Sequence, residues 1–560
     1  MIRNRKIYSG FVIFAFFIAA SFPLFSFAAD IYESRLDNGL KNTEPYSYIL
    51  MKKAQVDPAN AKSLLAEAIK YSPNLPAAYF EMARISFSHL PDGMFEGFSY
   101  VIEGVQAYKR NFWWQMSVAG LLFVSLTMAF VFTLLMVIVI RFFIDTPLLS
   151  HEIKEDNRKI LIVLSLIPLS LLGPLFFITG ALFLLGLYFS KTGKVIVYIS
   201  ILFLLLSPFM MRLADVFLSA STPELRAVVA VNESRDNKYA ISALKDKNDF
   251  ASLFSYGLAL KRDGHYEKAI ASYKNILTTS PAPMVYVNLG NCYFAINDIP
   301  TAKDFYKKAA DTKALASAYY NLSQASRETL DFVKGDEYFQ EAVKRGRDPI
   351  SKFAATVKRE PNRFVIDETL PVSVLWNYAG SRARQTMKIS LLNSVVSVLL
   401  SVVLFIAFFM VDSRMKNRAY RCKRCGTVLC EKCAKELLWG QMCPQCYKSI
   451  VKMDQLDSRE RMVKLLQVRE LQTRRTRMAR VLAFAPPGIA YIYAGRILAG
   501  SLLLWLFLFL LTLVLLNPLF YTGLSSFGHS WLNIPSIILM GFLYLISNVA
   551  VRRRLNRGWL

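Results

Sequence analysis

The chain has 560 residues, of which 54% are hydrophobic, yet it carries a formal charge of +26. Its apolar residues are gathered into long charge-free runs, which excludes a water-soluble globular chain. Only seven cysteines occur and six fall within 25 positions, which excludes a disulfide-stapled scaffold, whose cysteines would be spread along the sequence.

Residues 1–28 combine a basic start (Arg3, Arg5, Lys6), an apolar stretch and a Ser26-Phe27-Ala28 ending. They read as a secretory signal peptide cut before Ala29, with an uncleaved anchor as the alternative. Either way, 29–111 is expected to lie outside the cytoplasm. It is polar, with helical apolar spacing in AKSLLAEAIKYSPNLPAAYFEMARI.

A transmembrane region follows at 112–213. Residues 112–140, 160–190, 195–211, 389–411, 497–528 and 534–551 contain no Asp, Glu, Lys or Arg. A crossing takes roughly 20 apolar residues, so 112–140, 389–411 and the start of 497–528 are expected to span. The run 160–190 is broken by Pro168, Gly173-Pro174 and Gly180, which suits a bent span or a re-entrant hairpin. The stretch VLAFAPPGIAYIYAG (481–495) is short and carries paired prolines, so an interfacial or re-entrant piece is expected. Its PGIAYIYAGRILAG resembles the start of small two-helix bacterial membrane domains.

The polar block 214–387 holds a repeat. Tyr256-Gly257, Leu289-Gly290 and Leu322-Ser323 recur every 33 residues, as do Ala269, Ala302 and Gly335, and then Tyr273, Tyr306 and Phe339. Small residues at fixed places let the two helices of a hairpin approach closely, and the aromatics fill the gap to the next hairpin. The pattern resembles the tetratricopeptide repeat (TPR), with copies near 250–282, 283–315 and 316–348. Ser323 and Gly335 in the third copy depart from its usual residues. The segment LLAEAIKYSPNLPAAYFEMA, with Pro73, Tyr79 and Ala83, is either a degenerate copy or part of an ordinary helical domain.

The resemblance implies a groove that binds a protein or peptide. Its lining positions are Phe254, Leu258 and Lys261, then Val287, Asn291 and Phe294, then Tyr320, Gln324 and Arg327. Phe254 and Leu258 stand where the carboxylate-gripping subfamily has lysine and asparagine, so that activity is not implied, although Asn288 fits one of its positions. The groove is expected to suit an apolar or aromatic-bearing ligand, unless its aromatics pack against a neighbouring segment of this chain. Cys292, beside a core position, reads as a buried small hydrophobe.

The module 412–480 follows the transmembrane helix expected at 388–411. Its cysteines form three C-x-x-C pairs: Cys422/Cys425, Cys430/Cys433 and Cys443/Cys446. The outer pairs are separated by 17 residues, within the range of a four-cysteine zinc site. Thiolates suit Zn2+ because they are soft and tetrahedral placement carries no ligand-field penalty. The run CKRCGTVLCEKC resembles the core of FYVE-type zinc fingers, but the upstream cysteine pair and the basic histidine motif are missing, so inositol-lipid recognition is not implied. Cys430 and Cys433 join a second, incomplete site (with Glu431, Glu436 or a second protomer, which would make an oligomer), replace one pair of the single site, or form a free dithiol.

The same module carries 18 Lys/Arg against 7 Asp/Glu. Arg414, Lys416, Arg418 and Arg421 flank one span, and Arg474, Arg475, Arg477 and Arg480 precede the C-terminal transmembrane region 481–551. Anionic lipid head groups explain this charge more simply than nucleic acid, for which no reading motif is present. KLLQVRELQTRRTRMAR is expected to be a basic juxtamembrane helix, and 552–560 forms a basic tail.

Four scattered histidines (His89, His151, His265, His529) and no phosphate-cradling loop give catalysis no residues to act through. The expectation is an all-α, multi-domain, multi-pass protein of the inner cell membrane, with TPR-like hairpins, transmembrane helices and a small zinc module. Its expected role is a non-enzymatic scaffold; the alternative is a thiol- or zinc-based membrane sensor using Cys430 and Cys433.

Overall fold

The computed structural model describes residues 42–89, 91–155, 168, 171–235, 237–356, 365–383, 394–414, 418–430, 442–450, 458–520 and 530–556. The signal peptide, Lys416, Glu431, Cys433, Glu436 and His529 lie outside these residues. The fold is all-α; among the described residues the strands are two-residue pieces, Tyr420–Arg421 and Val428–Leu429. The chain forms two compact units, the first from the described residues up to Met116 with Leu218–Ala383, the second from those of Ser117–Phe217 and Arg384–Leu560.

In the first unit, the N-terminal block is two helix pairs, Glu44–Val56 with Ala61–Tyr71 and Pro76–Phe87 with Met94–Arg110. Ala61, Leu65, Ala68 and Tyr71 recur at helical spacing and are buried. Gly97 and Gly104 let the fourth helix close on the third. A Cβ at Gly97 would come within 2.6 Å of the Phe87 ring, and one at Gly104 within 3.0 Å of Phe80.

Three hairpins follow in a 33-residue phase. They are Phe250–Arg262 with Tyr266–Thr279, Pro283–Ala295 with Ile299–Thr312, and Ala316–Glu328 with Phe332–Thr356, the last helix broken at Gly346. The caps are local: the Asp249 carboxylate accepts the Ser252 N–H at 3.0 Å, and Asp298 accepts that of Thr301 at 3.2 Å. The small-against-aromatic pairing is present. A Cβ at Gly257 would lie 2.9 Å from the Tyr273 ring, and one at Gly290 2.6 Å from Tyr306. In the third copy Gly335 faces the Arg327 side chain instead.

The N-terminal block and the repeat block are joined around Glu233. Asn42 donates to the Glu233 carbonyl at 2.6 Å, the Phe112 N–H donates to its carboxylate, and Arg235 bridges Glu44 (2.8 Å) and Glu233 (2.9 Å). Trp376 adds an indole hydrogen bond to Gln115 at 2.9 Å.

In the second unit, helices cover the expected spans. Among the described residues, and with the ends that reach the first unit included, five helices are long and apolar enough to cross a membrane: Phe112–Glu152, Val195–Ser221, Ser394–Arg414, Ile497–Leu519 and Leu532–Asn556. The run 160–190 yields Pro174–Gly186 among its described residues. Thirteen residues at about 1.5 Å each span roughly 20 Å, short of a hydrocarbon core of about 30 Å. Within 481–495, Val481 and Leu482 end the helix Ser458–Leu482, and a turn then leads into the five-residue helix Ile489–Tyr493. Gly488, at φ +100°, brings the backbone against Gly500, where a Cβ would lie 2.1 Å from the Gly500 carbonyl oxygen.

Candidate metal centre and repeat groove

The cysteine centre is built by a tight turn and a helix start. Tyr420 and Arg421 pair antiparallel with Leu429 and Val428, and the turn between them passes through Gly426 at φ +76°. That turn presents Cys422 and Cys425. Cys443 and Cys446 come from the start of helix Pro444–Ile450. The four sulfurs lie within 4.8 Å of one another, with Cys425 and Cys443 3.6 Å apart. A tetrahedron with Zn–S of about 2.3 Å has edges of about 3.8 Å, so this donor set fits a metal ion of that size.

Backbone groups favour thiolate. The Cys443 N–H donates to Cys422 Sγ and the Cys446 N–H to Cys443 Sγ, each at 3.3 Å. Burial pushes the Cys425 thiol up, but hydrogen bonds from the Thr427 hydroxyl and N–H, with those from Cys446 and Cys443, outweigh it and bring the thiol down to about 6, while burial and the neighbouring sulfurs push Cys443 and Cys446 up. A metal held here by four thiolates would supply folding free energy, with no coordination position left for substrate. The basic helix Ser458–Leu482 supports the centre: Val468 packs in the same cluster as Cys422, Met442, Cys443 and Cys446, and Leu471 lies against Gly426.

Cys430 is elsewhere. It is buried in a separate cluster with Leu148 and Ala419, so it does not replace either pair of the four-sulfur group. Its C-x-x-C companion Cys433 lies outside the described residues.

Two of the bases expected to face lipid have protein partners. Arg418 donates to the Leu187 carbonyl and to the Asp412 carboxylate, and Arg421 donates to the Ile144 carbonyl at 2.7 Å. The Ala419 N–H donates to the Glu152 carboxylate. These side chains fix the entry strand of the module.

The repeat groove is filled by the chain itself. Residues 365–371, Val-Ile-Asp-Glu-Thr-Leu-Pro, run extended along the first helices of the three hairpins. The Ile366 N–H donates to Asn321 Oδ1 at 2.7 Å, and its carbonyl accepts from Asn321 (3.0 Å) and Asn291 (2.9 Å). The Glu368 N–H donates to Asn288 Oδ1 at 2.9 Å, and Asn288 Nδ2 donates back to its carbonyl at 3.0 Å. The Leu370 N–H donates to Asn232 at 2.7 Å. Alternate residues of an extended chain show their N–H and C=O on one edge, and asparagine carries both partners that such an edge needs.

Charge fixes the register. The Asp367 carboxylate accepts from Lys261 at 2.7 Å, Asn291 at 2.9 Å and Arg262 at 3.4 Å, and Ser317 donates to Glu368. Burial pushes the Asp367 carboxyl up, but Lys261 and Arg262 outweigh it and hold it well below the usual carboxylate range. The buried Tyr306 hydroxyl donates to Asn291 Oδ1 at 2.8 Å, locking that amide.

Of the expected lining residues, Lys261 and Asn291 touch the segment. Tyr320 is buried in a cluster on which Ile366 packs. Phe254, Leu258, Val287 and Gln324 are buried and offer no open apolar surface. Phe294 is half-buried against Ile299 and Leu322. Arg327 pairs with Asp336 at 2.9 Å and lies over the Phe339 ring. The expectation of an open apolar groove is therefore corrected: its floor is polar and occupied. Cys292 is buried, and burial pushes its thiol up to about 12. Reading the sequence missed Asn232, Ser317, Asn321 and Asp367, although Asn288 and Asn321 stand 33 residues apart, at one position of the repeat.

The tetratricopeptide repeat family matches residues 250–283, the first of the three hairpins. No curated protein matches the chain.

Proposed function

We propose that the chain is a non-enzymatic, multi-pass scaffold of the inner cell membrane. Its repeats recruit a protein partner, and a zinc-stabilised basic module works at the cytoplasmic face. The observation that carries this reading is the asparagine-lined groove, which holds an extended peptide segment by its backbone, as a peptide-binding surface would. Zinc is the metal favoured by four soft thiolates in a closed site.

Connectivity and charge support one assignment of sides. Residues up to 116 and 218–383 form one folded unit, which supports a reading in which 117–217 leaves and returns on one side with an even number of crossings. Among the described residues of that stretch, Phe112–Glu152 and Val195–Ser221 are long enough to supply two. Helix Ser394–Arg414 then carries the cysteine module to the other side. The Lys/Arg excess of that module and the tail Arg552-Arg553-Arg554 support assigning that side to the cytoplasm.

Photo-reactive residues at Phe294 and Arg327 of the full chain, in its native membrane, test recruitment. A discrete adduct with a second protein is expected; no adduct from either position overturns it. An impermeant maleimide on intact cells tests the sides. Thr278→Cys should label, while Ser458→Cys and the parent chain should not. Labelling of Ser458→Cys alone reverses the assignment.

A further inference from the structure

We infer that residues 365–371 are a tethered ligand that closes the repeat groove in cis. The partner is then a protein with an extended acidic segment, which displaces 365–371 and takes over its contacts. This rests on the recruitment reading above and adds the chemistry of the partner and the way its access is controlled.

Most of the recognition is independent of the segment's own sequence. Asn321, Asn288 and Asn232 hold the backbone of Ile366, Glu368 and Leu370, and any extended chain in that register offers the same groups. Side-chain selection acts at three places. Lys261, Arg262 and Asn291 surround the Asp367 carboxylate, Ser317 meets Glu368, and Leu370 is buried. The ligand class is thus an extended segment with two consecutive acidic residues and an apolar residue two positions further on.

The segment is also built to leave. Val365, Ile366, Glu368 and Thr369 keep partial exposure, whereas the Asp367 side chain is only 11% exposed and Leu370 is fully enclosed. A permanent strap gains little from a buried ion pair, because apolar residues of similar size stabilise as well or better. Here every described segment contact except Leu370 and the Ile366 side chain is polar, so water can replace it on release. Five of the groove's polar side chains (Lys261, Arg262, Asn288, Asn291, Asn321) converge on three consecutive residues, Ile366 to Glu368.

A tethered segment acts at an effective concentration on the order of millimolar. A competing peptide therefore meets an open groove only for the fraction of time the tether is released, and its apparent affinity falls by that fraction. Weakening the tether must strengthen binding in trans.

The test uses the full chain in detergent and a fluorescent peptide of sequence Val-Ile-Asp-Glu-Thr-Leu-Pro, read by anisotropy. Asp367→Lys sets a like charge against Lys261 and Arg262 and frees the groove without altering its walls. This variant should bind the peptide at least tenfold more tightly than the parent. Adding Asn288→Ala should remove the gain, and a peptide with lysine at both acidic positions should not bind. No binding by Asp367→Lys with its helical signal intact overturns the inference. So does loss of helical signal in both Asp367→Lys and the milder Asp367→Asn, since the segment is then part of the folding core. If the peptide fails to bind while Phe294 or Arg327 still yields an adduct, recruitment stands and uses another surface.

Discussion

Removing one sulfur from the metal centre should weaken metal binding by about two orders of magnitude. Cys443 lies 3.6 Å from Cys425 and accepts the Cys446 N–H, so it is integral to the four-sulfur group. Zinc bound to a structural site in small domains is worth roughly 10–16 kcal/mol. One thiolate of four carries about a quarter of that, roughly 2.5–4 kcal/mol, or about 60- to 700-fold at about 1.4 kcal/mol per decade. The assay is zinc retained by the purified full-length protein under increasing concentrations of a competing chelator. Cys443→Ser should shift the midpoint by about that factor and lower the helical signal, because Val468 and Leu471 rest on the centre. Cys430→Ser should leave the midpoint of this site unchanged, since Cys430 packs with Leu148 and Ala419. Equal retention by Cys443→Ser and the parent refutes the assignment.

Glycine substitutions separate packing from propensity. Gly290→Ala drives a Cβ to 2.6 Å from the Tyr306 ring and should destabilise the repeats by roughly 1–3 kcal/mol, whereas Gly380→Ala meets nothing within 4 Å and should be neutral or stabilising by thermal melting. Asp249→Ala loses the cap on Ser252 and the bond from Arg382, lowering stability by about 1–2 kcal/mol in the same assay. The Asp367 carboxyl is held below its unfolded value, so its stabilisation is complete above about pH 4 and is lost as pH falls through the folded value. Melting of the repeat block should thus change little from this group between pH 7 and 5 and drop below pH 4. In Asp367→Asn that component of the acid drop should be absent.

The repeat phase was legible because it is written in side-chain size. Gly257 and Gly290 face Tyr273 and Tyr306, and nothing larger fits. The metal centre was legible for a similar reason, since thiolate pairs at close spacing have few other uses. What the spacing left open was which pairs cooperate. Cys422, Cys425, Cys443 and Cys446 meet because the turn at Gly426 and the start of helix Pro444–Ile450 face one another; the 17-residue spacing pointed to this pairing but did not by itself exclude Cys430 from it.

The groove shows where such reading stops. Phe254 and Leu258 occupy first-helix positions that line an open groove, but whether a position is open depends on what lies over it. Here the cover is 365–371, which pairs with Asn288 from 80 residues away and with Asn232 from 138. That pairing runs through backbone amides, which every residue but proline possesses, so VIDETLP carries no signature of its destination. Asn288 and Asn321 at one repeat position mark a surface that grips a backbone, yet leave the backbone unnamed. The charge of Asp367 opposite Lys261 and Arg262 is the one complementary signal, and it becomes visible only once the fold has brought residues 105 and 106 positions apart together. A groove that reads backbone therefore conceals its ligand in sequence, and for the same reason it accepts more than one, which makes displacement of a tethered segment chemically available.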